Sequence, residues 1–255
     1  MVKKRNIKLR RELGIFQVTI AGVGIILGAG IYALIGVAAQ NAGNATWLSF
    51  LISAIVALCT GLSYAELSSM FKTDAGEYDY LKTALSKKFA FLIGLSMIAA
   101  GFISAAAVAL GFAGYFTQLV KMPVLLAALL LVVAMTLINF IGIKETSWFN
   151  TISTIIEFGG LILIIILGFR SFGSVDYFEM PKGFSGVMSS AALVFFAYMG
   201  FESVVKLGEE TKHPEKVIPH ALVYSVIITS ILYVLVSLSA VSVLGWEQLS
   251  TSKAP

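Results

Sequence analysis

Ile20-Ala-Gly-Val-Gly-Ile-Ile-Leu-Gly-Ala-Gly-Ile-Tyr32 lies inside an apolar run from 14 to 38, and it places Gly22, Gly24, Gly28 and Gly30 in and near the middle of that run. A glycine in a helix interior costs about 1 kcal/mol relative to alanine and leaves neighbouring backbone groups open to a ligand. Two readings of the string compete. In one, Gly24 and Gly28 form a small-xxx-small pair that lets another helix approach closely. In the other, the helix is interrupted at Gly28-Ala29-Gly30, so that free amides at the start of its outer half point into the bilayer centre. A nucleotide-binding loop does not fit, because no strand precedes the glycines.

The rest of the chain supplies the setting. Of 255 residues, 58% are hydrophobic and 13% charged, where soluble domains are about 25% charged; the mean hydropathy is +0.91. An ordinary globular domain is thereby excluded. Seven apolar runs, at 14–38, 46–70, 89–119, 123–143, 147–169, 185–205 and 217–244, are each expected to cross a hydrocarbon core of about 30 Å. The first run follows basic residues, as a secretory signal does, but it exceeds the 7 to 15 apolar residues of such a signal, about half its length, and reads as an uncleaved span. The single cysteine, Cys59, falls mid-way along the second run, which excludes an internal disulfide and reads as a small buried apolar residue.

Charge sets the expected orientation. If the runs alternate across the bilayer, fourteen of the eighteen Lys and Arg fall on the side of the N-terminus and of the segments after runs 2, 4 and 6. Positive residues accumulate in the cytoplasm, so the N-terminal segment 1–13 is expected inside and residue 255 outside. The basic balance then reports orientation and contact with anionic lipid. Nucleic acid is not an expected partner, since no soluble module carries a basic patch.

The sixth run contains Phe195-Phe-Ala-Tyr-Met-Gly-Phe-Glu202, with a small residue, aromatics and a carboxylate in its middle. Irregular backbone at membrane depth is tolerated only where it is buried in protein or lines a cavity. Transporters built from inverted five-helix repeats interrupt the first helix of each repeat, and runs 1 and 6 hold those ordinal positions. Half-helix N-termini favour an anionic group and unwound carbonyls a cationic one. A zwitterionic amino acid presents both.

Several separated motifs carry a family resemblance in consistent order. They are the Gly22 to Tyr32 string, Ser63-Tyr-Ala-Glu-Leu67, Ala75-Gly-Glu-Tyr78, Asn139-Phe-Ile-Gly-Ile-Lys144, the Phe195 to Glu202 stretch, Glu209-Glu210-Thr-Lys-His-Pro214 and Ile218-Pro219. Together they resemble the amino-acid permeases of the amino acid, polyamine and organocation superfamily, with runs 1 to 3 nearest the cationic amino acid transporter branch. The resemblance implies an all-α, LeuT-like inverted-repeat fold, with 14–169 as a first five-helix repeat and 185–255 as the start of a second. It implies secondary active transport of amino acids across the plasma membrane by alternating access. The substrate carboxylate would sit at Gly28, Ala29 and Gly30, and its amino group at the carbonyls of Phe195, Phe196 and Ala197, with an aromatic lid near Phe196 and Gly200 allowing the second break. The family's fold has about twelve spans, so a chain ending after seven is expected to be a fragment, and a non-transporting fragment or partner subunit is the alternative function. Neither the transported amino acid nor the oligomeric state is readable.

Three acids lie within the runs, of which Glu66, near the cytoplasmic end of the second, reads as structural. Glu157 interrupts the fifth run, where an acidic group at a helix centre costs roughly 2.5 to 3.5 kcal/mol on insertion scales. Proton-coupled relatives carry a lysine in this region in place of a sodium ion; here the residue is glutamate, and their mechanism does not transfer. Coupling or gating and a structural hydrogen bond are both open for Glu157. Glu202, by resemblance to arginine/agmatine exchangers, is a candidate gate or proton sensor, against pairing with Lys206 one turn on. Proton and sodium coupling both stay open, and no other cofactor or metal is expected. A membrane-embedded protease would need histidine ligands or paired aspartates within a run, but Asp74, Asp79 and Asp176 and both histidines fall in or beside loops. An enzyme is therefore not expected.

Overall fold

The computed structural model describes residues 11–28, 30–71, 77–141 and 143–252, with side chains throughout except at 141, 143–150 and 209. Helices dominate, because at membrane depth each backbone amide and carbonyl must find its partner within the segment. In chain order they are α1 (Ile15–Ile26), α2 (Gly30–Ala42), α3 (Thr46–Met70), α4 (Glu77–Ala84), α5 (Lys87–Leu119), α6 (Val124–Ile141), α7 (Ile143–Gly168), α8 (Gly183–Val194) and α9 (Pro214–Thr251). Short 3₁₀ segments follow α2, α7 and α8, and a longer one, Phe201–Glu210, leads to α9. The Ala75-Gly76 part of one family motif and Gly142 lie outside the described residues.

Among the described residues, five segments are long and apolar enough to cross a membrane: Gly30–Met70, Lys87–Leu119, Thr151–Ser171, Gly183–Gly208 and Pro214–Thr251. Ile15–Ile26 and Val124–Phe140 are apolar but shorter. The difference from seven expected spans has a physical origin. The 14–38 run is two helices rather than one, and α2 continues through a turn at Gly43 (φ +68°) into α3. The fourth run forms a helix of 18 residues, or about 27 Å at 1.5 Å per residue, just short of the hydrocarbon thickness.

The core gathers around α9, which packs against α1, α2, α3 and α7. Its apolar side chains Leu222, Val226, Tyr233 and Val241 are fully enclosed. Hydroxyls fasten the neighbouring helices. Ser49 and Ser53 of α3 donate to the Val187 and Ala191 carbonyls of α8, Ser190 of α8 donates to the Ala38 carbonyl of α2, and Tyr198 donates to the Phe50 carbonyl. Between apolar helices in lipid such bonds and close packing take over the role that water exclusion plays in soluble cores. By contrast, Phe91, Leu92, Phe102 and Ile103 of α5 face outward, as a lipid-contacting surface does. Cys59 is also exposed on α3, so its expected burial is not observed: the residue points away from the α8 and α9 contacts of that helix.

The two ends of the bundle are closed differently. At one end Glu12 and Leu13 amides donate to the Glu210 carbonyl, and Lys212 donates back to Leu13, which clips the chain before α1 to the chain before α9. Tyr64 reaches Glu77 on α4 at 2.9 Å and packs edge-on against Phe201. At the other end Asn44 donates to one oxygen of Glu179, and the Trp246 indole donates to the other. Gly245 leaves helical geometry there (φ 69°), and this turns Trp246 so that its amide meets Asn44.

Candidate functional site

Within 14–38, α1 stops at Ile26, Leu27 is extended (φ −60°, ψ 121°), and α2 begins at Gly30. Within 185–205, α8 ends at Val194 and tightens into the 3₁₀ segment Phe195–Tyr198. Gly200 then turns the chain through φ +118°, ψ −26° into Phe201–Glu210. That φ is open to glycine and strained for other residues.

The two interruptions cross in contact. A Cβ placed on Gly30 would lie 2.8 Å from the Ala197 Cα, and one placed on Gly200 would lie 2.8 Å from the Ile25 carbonyl oxygen. Both glycines therefore permit backbone to approach backbone. Gly28 differs, since a Cβ there would meet nothing nearer than the Ile26 carbonyl oxygen at 3.8 Å. The upstream glycines are packing residues: Gly24 lies against Thr154 of α7, and Gly22 against Ser225 and Val204.

A cavity of about 430 Å³ opens beside the crossing and is walled on its far side by α5. Gly28, Gly30, Phe196, Ala197, Gly200 and Glu202 all line it. Ala29 lies outside the described residues. Phe195 is turned away, lining a separate apolar groove with Ser53, Val56 and Ala191; successive residues of a 3₁₀ turn point about 120° apart. Glu157 does not line the cavity. Its backbone carbonyl accepts from the Tyr32 hydroxyl at 3.0 Å, and one carboxylate oxygen is buried with no hydrogen-bond partner among the described residues. Glu202 accepts the Gly200 amide at 2.8 Å, closing the start of the Phe201–Glu210 segment. An anionic group there complements the N-terminal end of a helical segment, a role distinct from its expected pairing with Lys206, which also lines the cavity.

Sequence reasoning missed Met97 and Ser104 of α5, which face the cavity, and Tyr233, whose hydroxyl lies 3.1 Å from both the Ile26 and the Ala197 carbonyl oxygens. The small-residue tract Ala99-Ala100-Gly101 before Ser104 was a usable signal for a wall that leaves room. Tyr233 carried none, because a tyrosine within an apolar run has the same appearance whether its hydroxyl meets solvent, lipid headgroups or a broken helix.

Residues 13–254 match the sequence profile of the amino acid permeases. The chain belongs to the amino acid permease family. It is 34% identical to the branched-chain amino acid permease BcaP of Bacillus subtilis, over 94% of this chain and 56% of that protein. It is 31% identical to the methylthioribose transporter of Bacillus subtilis, over 97% of this chain and 58% of that protein. It is also 31% identical to the mouse cationic amino acid transporter 4, over 96% of this chain and 43% of that protein. The chain thus spans about half the length of the curated relatives it matches. The permease family and these relatives are transporters rather than enzymes, and with its apolar helices the chain is part of a multi-pass membrane protein. The relatives' names differ in cargo, so they do not single out one side chain.

Proposed function

We propose that this permease chain forms the substrate-binding half of an amino-acid transporter that works by alternating access. The observation carrying the proposal is the crossing of two interrupted helices beside a cavity of about 430 Å³, a volume within the range of small-molecule sites. The N-terminal end of α2 holds amides without intrahelical partners and a partial positive charge suited to a carboxylate. The C-terminal end of α1 and the carbonyls near Phe196 offer partial negative charge to an ammonium group. The Phe196 and Ala197 carbonyls already accept one hydrogen bond each, from the Met199 amide and the Tyr233 hydroxyl. A carbonyl oxygen has two lone pairs, so each retains capacity for a substrate donor.

In this reading 14–169 is the first five-helix repeat of a LeuT-like fold and 185–255 opens the second. The N-terminus faces the cytoplasm of a plasma membrane. Glu202, on the cavity wall, is the group placed to report protonation to the site, whereas Glu157 acts from behind the first break. Transport is proton-coupled or by exchange. The test is uptake of a panel of radiolabelled amino acids by the full-length protein in proteoliposomes, with and without pH and sodium gradients. Saturable uptake of an amino acid, competed poorly by its decarboxylated amine, is the expected result. Absence of uptake and of counterflow for every amino acid overturns the proposal.

A further inference from the structure

Tyr233 stands 0% exposed in α9, facing the gap between α1 and α2. Its hydroxyl oxygen lies 3.1 Å from the carbonyl of Ile26, at the end of α1, and 3.1 Å from that of Ala197, in the Phe195–Tyr198 turn. The Gly28 amide faces the same oxygen. Each contact addresses a specific deficit. Where α1 stops, its last carbonyls lose their partners four residues on, and where Gly200 leaves helical geometry, Ala197 loses the same. Unpaired carbonyls at membrane depth are costly. A phenol has one proton to donate and lone pairs that accept, so one side chain on a third helix serves both breaks.

We propose that Tyr233 is a positioning residue of the substrate site: its hydroxyl ties the end of α1 to the turn before Gly200 and so sets the separation between the carboxylate-binding and ammonium-binding ends of the cavity. The identity of the substrate as an amino acid rests on the reading given above, but the tie between the breaks does not. The hydroxyl proton alternates between two acceptors, which holds both breaks without locking either. Substrate fit then depends on a residue that does not itself line the cavity.

The test uses Tyr233→Phe in the full-length protein. The ring remains packed edge-on against Phe50 and Tyr198, with centroids 5.9 and 5.2 Å away, so the variant keeps its core contacts and loses only the hydroxyl. Without any substrate, hydrogen exchange is expected to rise at the amides of 26–28 and 197–200. In proteoliposomes KM for the amino acid is expected to rise about tenfold while kcat changes by less than about threefold, the pattern of lost binding geometry. Ser49→Ala serves as the comparison: it removes a buried hydroxyl that fastens α3 to α8 at 3.0 Å, away from both breaks, and is expected to leave KM and those amides unchanged. Unchanged exchange at the two breaks in Tyr233→Phe overturns the proposal, as does an equal KM change in Ser49→Ala. If exchange rises in Tyr233→Phe but the wild-type protein transports no amino acid, the tie stands and the substrate reading fails.

Discussion

At Gly28 an added Cβ meets open space on the cavity wall, whereas at Gly30 it meets the Ala197 backbone at 2.8 Å. The two glycines, so close in sequence, therefore separate ligand access from packing. Gly28→Ala is expected to leave the melting temperature of the full-length protein within a few degrees of wild type and to raise KM for the amino acid about tenfold, since 1.4 kcal/mol of lost binding is a factor of ten. Gly30→Ala must push the breaks apart, and an overpacked contact of this kind costs about 1 to 3 kcal/mol, read as a fall in melting temperature. A wild-type KM in Gly28→Ala removes the carboxylate from this position. Glu202 poses a similar choice between structure and chemistry. Glu202→Gln keeps an acceptor oxygen for the Gly200 amide but removes the charge, so the fold is expected to persist while the pH dependence of uptake flattens. An unchanged pH profile would leave Glu202 as a cap alone.

The interruptions were legible as elements before they were legible as geometry. A glycine string in one apolar run and an aromatic-glycine-acid string in another mark where helices stop, because local propensity and backbone freedom act over neighbouring residues. What the sequence does not carry is which residues meet across the chain. Gly30 against Ala197, Gly200 against Ile25 and the rotation of Phe195 away from the cavity all follow from the crossing of distant segments. The same limit covers Gly22, whose close approach to Ser225 and Val204 involves segments distant in the chain. The gap between the first and second apolar runs, by contrast, does mark a turn: α2 ends at Ala42, Gly43 takes φ +68°, and α3 starts at Thr46. The second break supplies a test at this scale. Gly200 holds φ +118° and faces the Ile25 carbonyl, so Gly200→Ala suffers both backbone strain and a close contact. Strain of this kind costs about 1 to 3 kcal/mol. The variant is expected to melt several degrees lower and to lose binding with it, as measured by thermal unfolding in detergent with and without amino acid. Wild-type melting would mean that the chain passes the break by another backbone route.

For the whole molecule, the contacts sort the loops into two sets that agree with the charge count. The strap of Glu12 and Leu13 onto Glu210 and the Tyr64 bond to Glu77 gather the N-terminal segment, α4 and the segment before α9 at one end. The opposite end holds Asn44, Glu179 and Trp246, with the Trp47 indole bonded to the Tyr177 carbonyl. Most Lys and Arg of the sequence fall with the first set, so the proposed orientation has that set facing the cytoplasm, and Trp47 and Trp246 lie with the second, at a level where interfacial aromatics favour the headgroup region. Single cysteines read this orientation directly, provided Cys59, which is exposed, is first replaced by alanine. Asn44 is a poor labelling position, being 3% exposed and bonded to both Glu179 and Trp246. Lys182, exposed with its side chain donating to Asn41, and Lys212, exposed beyond the strap, are suitable. In intact cells an impermeant maleimide is expected to modify Lys182→Cys and to reach Lys212→Cys only after permeabilisation. The reverse pattern would invert the orientation, with the positive charge on the outer face and the two half-helix ends presented to the cavity from opposite sides of the membrane.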